Sequence, residues 1–529
     1  MSLTKVTNSM IVGAPVNVLD FIPPEFHAAI KNETSTVDVR QYIQAAMDSG
    51  AGELYFPMGY YVIKSPLYIT AGAVGSTQRN DLTFVGENRT TTYLVAEDFT
   101  ASPLINPVTG LGIMSMLINQ SNNGKFTLKN IRFQGNVPLG HAMYSLENGT
   151  DSQCLFSGLI ENCWFSLSET NNGIFFGGLQ NYQISGNVFE SAKACFRLAG
   201  AGCGDLNFVN NSVYSSYDSF IDATSTFSAT TKNLINVTNL NVYNHFRGPV
   251  FAGVNINRMN ISNVNFQRTD GVGFGTLGLC DFTDCVNINI DSFNCYQGTL
   301  NDVIKLSGTS AKISNGFIGA CNSGIYVFGN NSIDLTVTNV NISGATASSF
   351  YHPSGNPGGV VDINDCRWAN SGGYHWVDQS GTATYGVTFN GGFFLNAGFP
   401  NTSAGSRNFG FNTTGNVRFY NSLIGRTSTD AIANNFFENN GTGDFILTDC
   451  TFTALAAPGS PEISGAQLVK IAGGLGNRYR QYYAPTAPLT GTWSVGDRVF
   501  NTVPSVGQPK GWLCTVAGTP GTWVSEGNL

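Results

Sequence analysis

A short phrase recurs along this chain: an asparagine followed closely by an aromatic residue, within a run of β-favouring residues. Its aromatic members stand at Phe165, Phe189, Tyr214, Tyr243, Phe266 and Phe293. They are 24, 25, 29, 23 and 27 residues apart, and no helical pattern lies between them. A loose period in the twenties is typical of a coiled solenoid, in which each turn packs on its neighbours.

Related phrases extend from Asn130 to Phe452, which makes about a dozen turns over roughly 320 residues. Alternating runs such as Leu335-Thr-Val-Thr-Asn-Val340 predict strands with one buried face. Asparagine tolerates left-handed backbone, and in stacked turns its amide can bond the neighbouring coil. The sequence therefore predicts an all-β chain that forms a right-handed parallel β-helix.

Composition excludes several classes of function. The formal net charge is −8 without clusters of Lys or Arg, which argues against a nucleic-acid partner. No run of about 18 apolar residues is present, so we expect no membrane insertion. We also expect no metal and no other cofactor, since no Cys-x-x-Cys, His-Glu-x-x-His, phosphate loop or dinucleotide turn is found. Asp281 and Asp284 form a weaker candidate for a calcium site.

The chain divides into four predicted regions. They are a lead-in (1–35), the β-helix (36–455), a linker (456–484) and a separate small β module (485–529). A helix is predicted at 36–49, where Thr36 can cap and Val39, Ile43 and Met47 recur at four-residue spacing. An amphipathic helix at this place can cover the open end of a β-helix.

The phrases Tyr42-Ile-Gln-Ala-Ala46 and Leu54-Tyr-Phe-Pro-Met-Gly-Tyr-Tyr61 resemble the start of bacteriophage tailspikes, which are polysaccharide depolymerases with a pectate-lyase-like β-helix. The motifs cover about 50 residues, and Phe21-Ile-Pro-Pro24 replaces the family's Phe-Gly-Ala. The resemblance implies a homotrimer in the phage tail of the virion that contacts other phage tail proteins. The cysteine pattern predicts reduced thiols, as in a protein folded in the host cytoplasm.

The resemblance also implies a receptor-binding protein that hydrolyses a bacterial surface polysaccharide, either O-antigen or capsule, as an inverting endo-glycoside hydrolase. Two alternatives stay open at this point. One is a polysaccharide lyase acting on a uronate-containing glycan, and the other is an adhesin that binds glycan without cutting it.

Alignment of the coils on their final aromatic predicts one column of polar residues. Four residues beyond each aromatic stand Glu169, Lys193, Asp218, Arg247, Asp270 and Gln297. Because stacked strands are roughly 4.8 Å apart, these side chains would follow the coil axis. The column is either a charge ladder or the wall of a groove that holds a polar polymer.

The predicted catalytic residues are Glu190, Asp218 and Asp222. Glycoside hydrolysis requires one protonated carboxyl group and a second, ionised one that activates water. Asp218 is predicted to lie between Lys193 and Arg247, which favours the ionised base. Glu190 is the predicted acid, and Asp222 is the third member or the ion-pair partner of Arg197.

The predicted substrate-binding residues come from the same column and its surroundings. They are Glu169, Lys193, Tyr217, His245, Arg247 and Asp270. Among them, His245 and Arg247 are the pair that would bind an acidic sugar.

Overall fold

The structure, a computed structural model, forms two compact units, residues 1–325 and 326–529. The residues that it describes are 15–69, 81–101, 114–119, 125–135, 141–145, 157–167, 172–176, 180–190, 193–198, 203–214, 218–224, 232–243, 248–267, 278–296, 302–329, 331–352, 358–379, 384–395, 409–425, 437–439, 445–448, 450–453, 463–464, 469–471, 481–489, 493 and 495–529.

Residues 1–325 form a parallel β-helix in which each coil contributes to two sheets. The strands of sheet A are Pro15–Asn17, Glu53–Phe56, Gly59–Ile63, Leu82–Gly86, Thr92–Ala96, Lys125–Lys129, Arg132–Gly135, Ser157–Glu161, Trp164–Ser166, Gln180–Ser185, Val188–Glu190, Gly204–Val209, Ser212–Tyr214, Asn233–Tyr243, Met259–Gln267, Ile288–Tyr296 and Ser310–Gly319. The strands of sheet B are Leu67–Ile69, Ser115–Asn119, His141–Ser145, Asn172–Phe176, Ala194–Leu198, Ser219–Ala223, Phe251–Val254, Cys280–Thr283 and Ile304–Ser307. The predicted parallel β-helix is confirmed, and its right-handedness stays a prediction.

A left-handed residue bends sheet A once in each coil, and asparagine usually occupies this position. The φ angles of Asn130, Asn162, Asn210 and Asn239 lie between 52° and 56°. The Asn162 amide donates to Asn130 Oδ1 at 2.7 Å, and that of Asn239 donates to Asn210 Oδ1 at 2.9 Å. The role predicted for the repeated asparagine is therefore confirmed.

Stacked rings fill part of the interior of the coils. Phe165 stacks on Phe133 at 5.1 Å and on Phe189 at 4.7 Å between ring centroids. In the next two coils Val213 and Val242 take this inward position. The alignment on the final aromatic is therefore wrong at Tyr214 and Tyr243, which stand one residue further on and face outward.

The amino-terminal end of this unit carries two helices, Pro24–Lys31 and Arg40–Asp48. The second confirms the predicted helix, although it begins after Val39, whose amide donates to Val62 O, and Thr36 is not its cap. The first was not expected: Pro24 occupies its first turn, where a missing N–H is tolerated. Neither helix in the described residues is long and apolar enough to cross a membrane.

Residues 326–529, taken by themselves, show the same two-sheet pattern. Their A-type strands are Ile333–Ser343, Gly359–Asn364, Arg367–Ala369, Gly386–Asn390, Phe393–Leu395, Val417–Tyr420, Leu423–Gly425, Phe445–Thr448, Thr451–Thr453 and Val469–Ile471. Their B-type strands are Ser348–His352, Tyr374–Asp378, Phe409–Phe411, Phe437–Asn439 and Ile463–Ser464, while Ser323–Val327 runs across the boundary of the two units. Two of these strands lie beyond residue 455, so coil pairing continues into the predicted linker.

The last strands form a separate four-stranded sheet: Gln481–Ala484, Arg498–Asn501, Gly511–Val516 and Thr522–Ser525. The first pair is parallel and the other two are antiparallel. The small β module is confirmed, but its first strand starts at Gln481 within the predicted linker. Trp493 and Trp523 meet edge to face at 5.0 Å, so these tryptophans pack on each other.

Candidate functional site

The structure describes four of the predicted site residues: Glu190, Lys193, Asp218 and Asp222. The other five, Glu169, Tyr217, His245, Arg247 and Asp270, lie outside the described residues. The catalytic and binding roles predicted for them stay predictions.

Lys193 and Asp218 lie in register on successive coils. The strands that follow them pair Ala194 with Ser219, and the Asp218 amide donates to Lys193 O at 2.6 Å. On the next coil Gly248 aligns with Asp218, since a side chain at Gly248 would collide with the Asp218 carbonyl. Arg247 lies outside the described residues, so its predicted placement next to Asp218 stays a prediction.

Glu190 lies on the outer face of sheet A and makes three contacts through one oxygen. Its Oε2 accepts from Trp164 Nε1 at 3.1 Å and from Ser166 Oγ at 3.1 Å, and it lies 3.6 Å from Arg132 Nη2. The Arg132 guanidinium also lies 4.2 Å from the centroid of the Trp164 ring. A carboxylate that accepts from several donors holds its neighbours in place, whereas a general acid must donate a proton. These contacts favour an anchoring role for Glu190.

Asp222 lies on the outer face of sheet B. Its Oδ2 is 3.7 Å from Arg197 Nε, and its Oδ1 accepts from the amide and the hydroxyl of Thr224 at 3.0 and 2.6 Å. The ion pair predicted between Asp222 and Arg197 is confirmed. Arg197 and Thr224 therefore contact the two carboxylate oxygens from different sides and hold the Asp222 side chain in one orientation.

Asp222 belongs to a line of in-register residues on five successive strands of sheet B. We call this set the carboxylate line: Arg197, Asp222, Ala252, Asp281 and Lys305. The residues on either side of Asp281, Cys280 and Phe282, are buried in the core. Strand alternation therefore directs Asp281 outward, as it does Arg197, Asp222 and Lys305, whereas Ala252 is buried, with 7% of its surface exposed.

Asp281 differs from Asp222 in its surroundings. Burial raises the pKa of the Asp281 carboxyl group, and the charge of Lys305 partly offsets this effect. A raised pKa keeps a carboxyl group protonated at higher pH, as a general acid requires. The line thus contains one acidic residue beside an arginine and one whose carboxyl pKa is raised by burial.

The two acidic residues are separated by Ala252, which offers only a methyl group between them. Two steps of strand pairing, each roughly 4.8 Å, place their backbones about 10 Å apart. Inverting glycosidases hold their carboxyl groups roughly 6.5–9.5 Å apart, a range that side-chain orientation makes accessible here.

The sequence alone indicates only a calcium-binding role for Asp281, together with Asp284. Aligning the coils on their aromatic phrases indicates the strand register of sheet A. It does not give that of sheet B, because the connections between the sheets vary in length. A usable signal was present: two apolar residues precede each member of the line, as in Leu279-Cys-Asp281 and Val303-Ile-Lys305. Within the described ranges, no three His, Cys, Asp or Glu side chains are placed to hold a metal ion.

No family model matches the sequence, and no curated protein matches it. Among solved structures, the chain is similar to the catalytic unit of a GH87 α-1,3-glucanase from Streptomyces thermodiastaticus, at 12% identity and a TM-score of 0.39, covering 87% of this chain and 69% of that one. It is also similar to a mutant tailspike protein of E. coli bacteriophage HK620 in complex with a hexasaccharide, at 14% identity and a TM-score of 0.37, covering 97% and 92%.

A third similar structure is the A-module of a mannuronan C-5 epimerase from Azotobacter vinelandii. The identity is 13% and the TM-score is 0.31, and the match covers 87% of this chain and 100% of that one. With scores this low, the functional conclusion depends on the residues of this chain.

Proposed function

We propose that this protein binds a bacterial surface polysaccharide, O-antigen or capsule, and hydrolyses it as an endo-glycosidase in the manner of a phage tailspike. One observation carries the proposal: Asp222 and Asp281 face outward from one sheet, two coils apart, in contrasting surroundings. Acid–base cleavage of a glycosidic bond requires two carboxyl groups, one that donates a proton and one that activates water.

In the proposed reaction the glycan lies across Ala252, with the scissile bond between the two acidic side chains. Asp281 donates its proton to the glycosidic oxygen as the bond from that oxygen to the anomeric carbon breaks. Asp222 removes a proton from a water molecule, whose oxygen attacks the anomeric carbon from the opposite side. The products are two shorter chains with an inverted configuration at the new reducing end.

Arg197 has a positioning role in this mechanism. It lies on the coil before Asp222 and contacts Oδ2, the oxygen that is not engaged by Thr224 Oγ1. The contact fixes the direction in which the base faces.

The experiment is incubation of the full-length protein with a panel of purified O-antigens and capsular polysaccharides. Release of new reducing ends without new ultraviolet absorbance supports the hydrolase. Absorbance from unsaturated uronate products would indicate the lyase instead, and binding without any new reducing ends would indicate the adhesin.

The proposal includes assembly and location. We propose a homotrimer in the virion, attached to other phage tail proteins, that folds in the host cytoplasm. Light scattering on the intact protein at micromolar concentration tests the trimer, and a stable monomer would contradict it.

The pair predicted from sequence, Glu190 as acid and Asp218 as base, remains a competing proposal for the same cleavage. Glu190 belongs to the coil that precedes Asp218, and its strand aligns it with Tyr214 rather than with Asp218. Substitutions of Glu190 and Asp218 should therefore be tested in the same cleavage assay as those of Asp222 and Asp281.

A further inference from the structure

We propose a second glycan-binding surface on the outer face of sheet A, for an uncharged segment of the polysaccharide. This inference rests on the proposed function and extends it, because the surface would hold the polymer away from the carboxylate line. It lies on the part of each sheet A strand that follows the residue with left-handed backbone.

The surface consists of two in-register rows on four successive coils. We call these residues the tyrosine strip: Tyr214, Tyr243, Gln267 and Tyr296 in one row, and Ser212, Asn241, Asn265 and Asn294 in the other. The rows run along the direction of strand pairing, with steps of roughly 4.8 Å. An extended polymer that lies along the coil axis would therefore meet one ring or amide after another.

The rings of the strip are available to a ligand. The side chains of Tyr214 and Tyr296 are 45% and 54% exposed. Tyr214 and Tyr243 stack on each other, with their ring centroids 5.3 Å apart and their planes 11° from parallel. Within the part of the chain that the structure describes, the hydroxyl groups of Tyr214, Tyr243 and Tyr296 make no hydrogen bond.

A glycine fixes the position of the last ring. Tyr296 is in register with Gly319, and a Cβ atom added at Gly319 would lie 2.8 Å from Phe317 Cε1 and 3.0 Å from Tyr296 Cδ2. The missing side chain thus leaves room for the tyrosine ring to lie over the next coil. A methyl group there would displace the ring without removing it.

The chemistry of the strip selects an uncharged sugar. Its eight residues include no formal charge and no aliphatic side chain. Nucleic acid or an acidic glycan would need cations, and the central part of a protein interface is more apolar than this. Tyrosine rings offer apolar faces to sugar C–H groups, while Asn, Gln and Ser donate and accept hydrogen bonds with hydroxyl groups.

The strip ends at a charged cluster. Tyr214 pairs in register with Glu190, which is held by Arg132, Trp164 and Ser166. The outward residues change from uncharged to charged within one coil. We therefore expect the bound uncharged segment of the polysaccharide to end there. Glu190 therefore marks the end of the strip, outside its binding residues.

The test uses the intact protein, a set of uronate-free O-polysaccharides and short oligosaccharides made from them. We expect the double variant Tyr214→Ala/Tyr243→Ala to weaken binding of the long polysaccharide by roughly tenfold or more. Release of reducing ends from the short oligosaccharides should remain at the wild-type rate. Gly319→Ala should produce a smaller loss of binding, and Tyr420→Ala, on an outward position of residues 326–529, should produce none.

Three outcomes would overturn the inference. The first is wild-type affinity in the double variant, and the second is a wild-type protein that binds none of the uronate-free polysaccharides. The third is a loss of binding accompanied by a lower molar mass in light scattering, which would assign the surface to contacts between copies. Failure of the proposed catalysis is a separate result: variants of Asp222 and Asp281 would retain cleavage while the double tyrosine variant still lost affinity.

Discussion

The outer faces of sheets A and B use the same stacked coils for different chemistry. On sheet A, the tyrosine strip presents exposed rings and amides without charge. On sheet B, the carboxylate line presents two acidic residues and two cations around a single alanine. In stacked coils, outward residues at equivalent positions form a line along the coil axis. The chemistry of those residues determines whether the line binds a ligand or takes part in catalysis.

Sheet A shows why uncharged residues suit a long repeated row. Asn236 donates to Asn207, Asn260 to Asn236 and Asn289 to Asn260, each at 2.8 Å. An amide donates to one neighbour and accepts from the other, so the row continues without repulsion. Carboxylates at the same spacing would repel each other, and sheet B accordingly places a cation next to each of its two acids.

The largest expected effect is at the acidic pair of sheet B. Asp281→Asn and Asp222→Asn should each lower cleavage by roughly 10²–10⁴-fold, the loss typical of a missing acid or base. Polysaccharide binding should persist, because the tyrosine strip is unchanged. The measurement is the initial rate of reducing-end release, with the exposed Asp334→Asn as a control of equal charge change.

The next prediction concerns the gap between the two acids. Ala252→Leu should lower cleavage by roughly tenfold to a hundredfold, since the added carbons have little room at this buried position and would displace Asp222 and Asp281 on either side. The control is Val254→Leu on the same strand, two residues further on. Loss of cleavage in both variants, or in neither, would place the reaction elsewhere.

Glu190→Gln and Asp218→Asn separate the two proposed catalytic pairs. If the carboxylate line performs the reaction, cleavage should stay within about tenfold of wild type in both variants, because neither residue would transfer the proton. A loss of two or more orders of magnitude in both would restore the pair predicted from sequence. The same rate assay decides between them.

The smallest effect concerns the apolar end of sheet B, where His141 packs on Tyr144 and Phe175. Burial lowers the pKa of His141 to about 3, from an unfolded value near 6.5. The unfolded chain therefore binds more protons between these values, and the free energy of unfolding should fall by about 2 kcal/mol from pH 7 to pH 5. Denaturant unfolding of wild type and His141→Gln across this pH range checks this. The same change in the free energy of unfolding in both proteins would contradict it.

The coil was predictable from sequence because asparagine at a left-handed corner and an inward apolar residue are local requirements that every turn repeats. The acidic pair was not, since Asp222 and Asp281 are 59 residues apart in sequence and meet only through the register of sheet B. Tyr214 and Tyr243 misled the alignment for a related reason. An aromatic residue fits the inward row as well as the outward one, and only strand pairing distinguishes them.

The stereochemistry of cleavage tests the central claim most directly. Proton NMR during the first turnovers on the polysaccharide that the protein cuts fastest reports the configuration of the new reducing end. Two carboxyl groups separated by one intervening coil predict inversion, and Asp281→Asn should abolish the signal. A first product with retained configuration would contradict the assignment of Asp222 and Asp281.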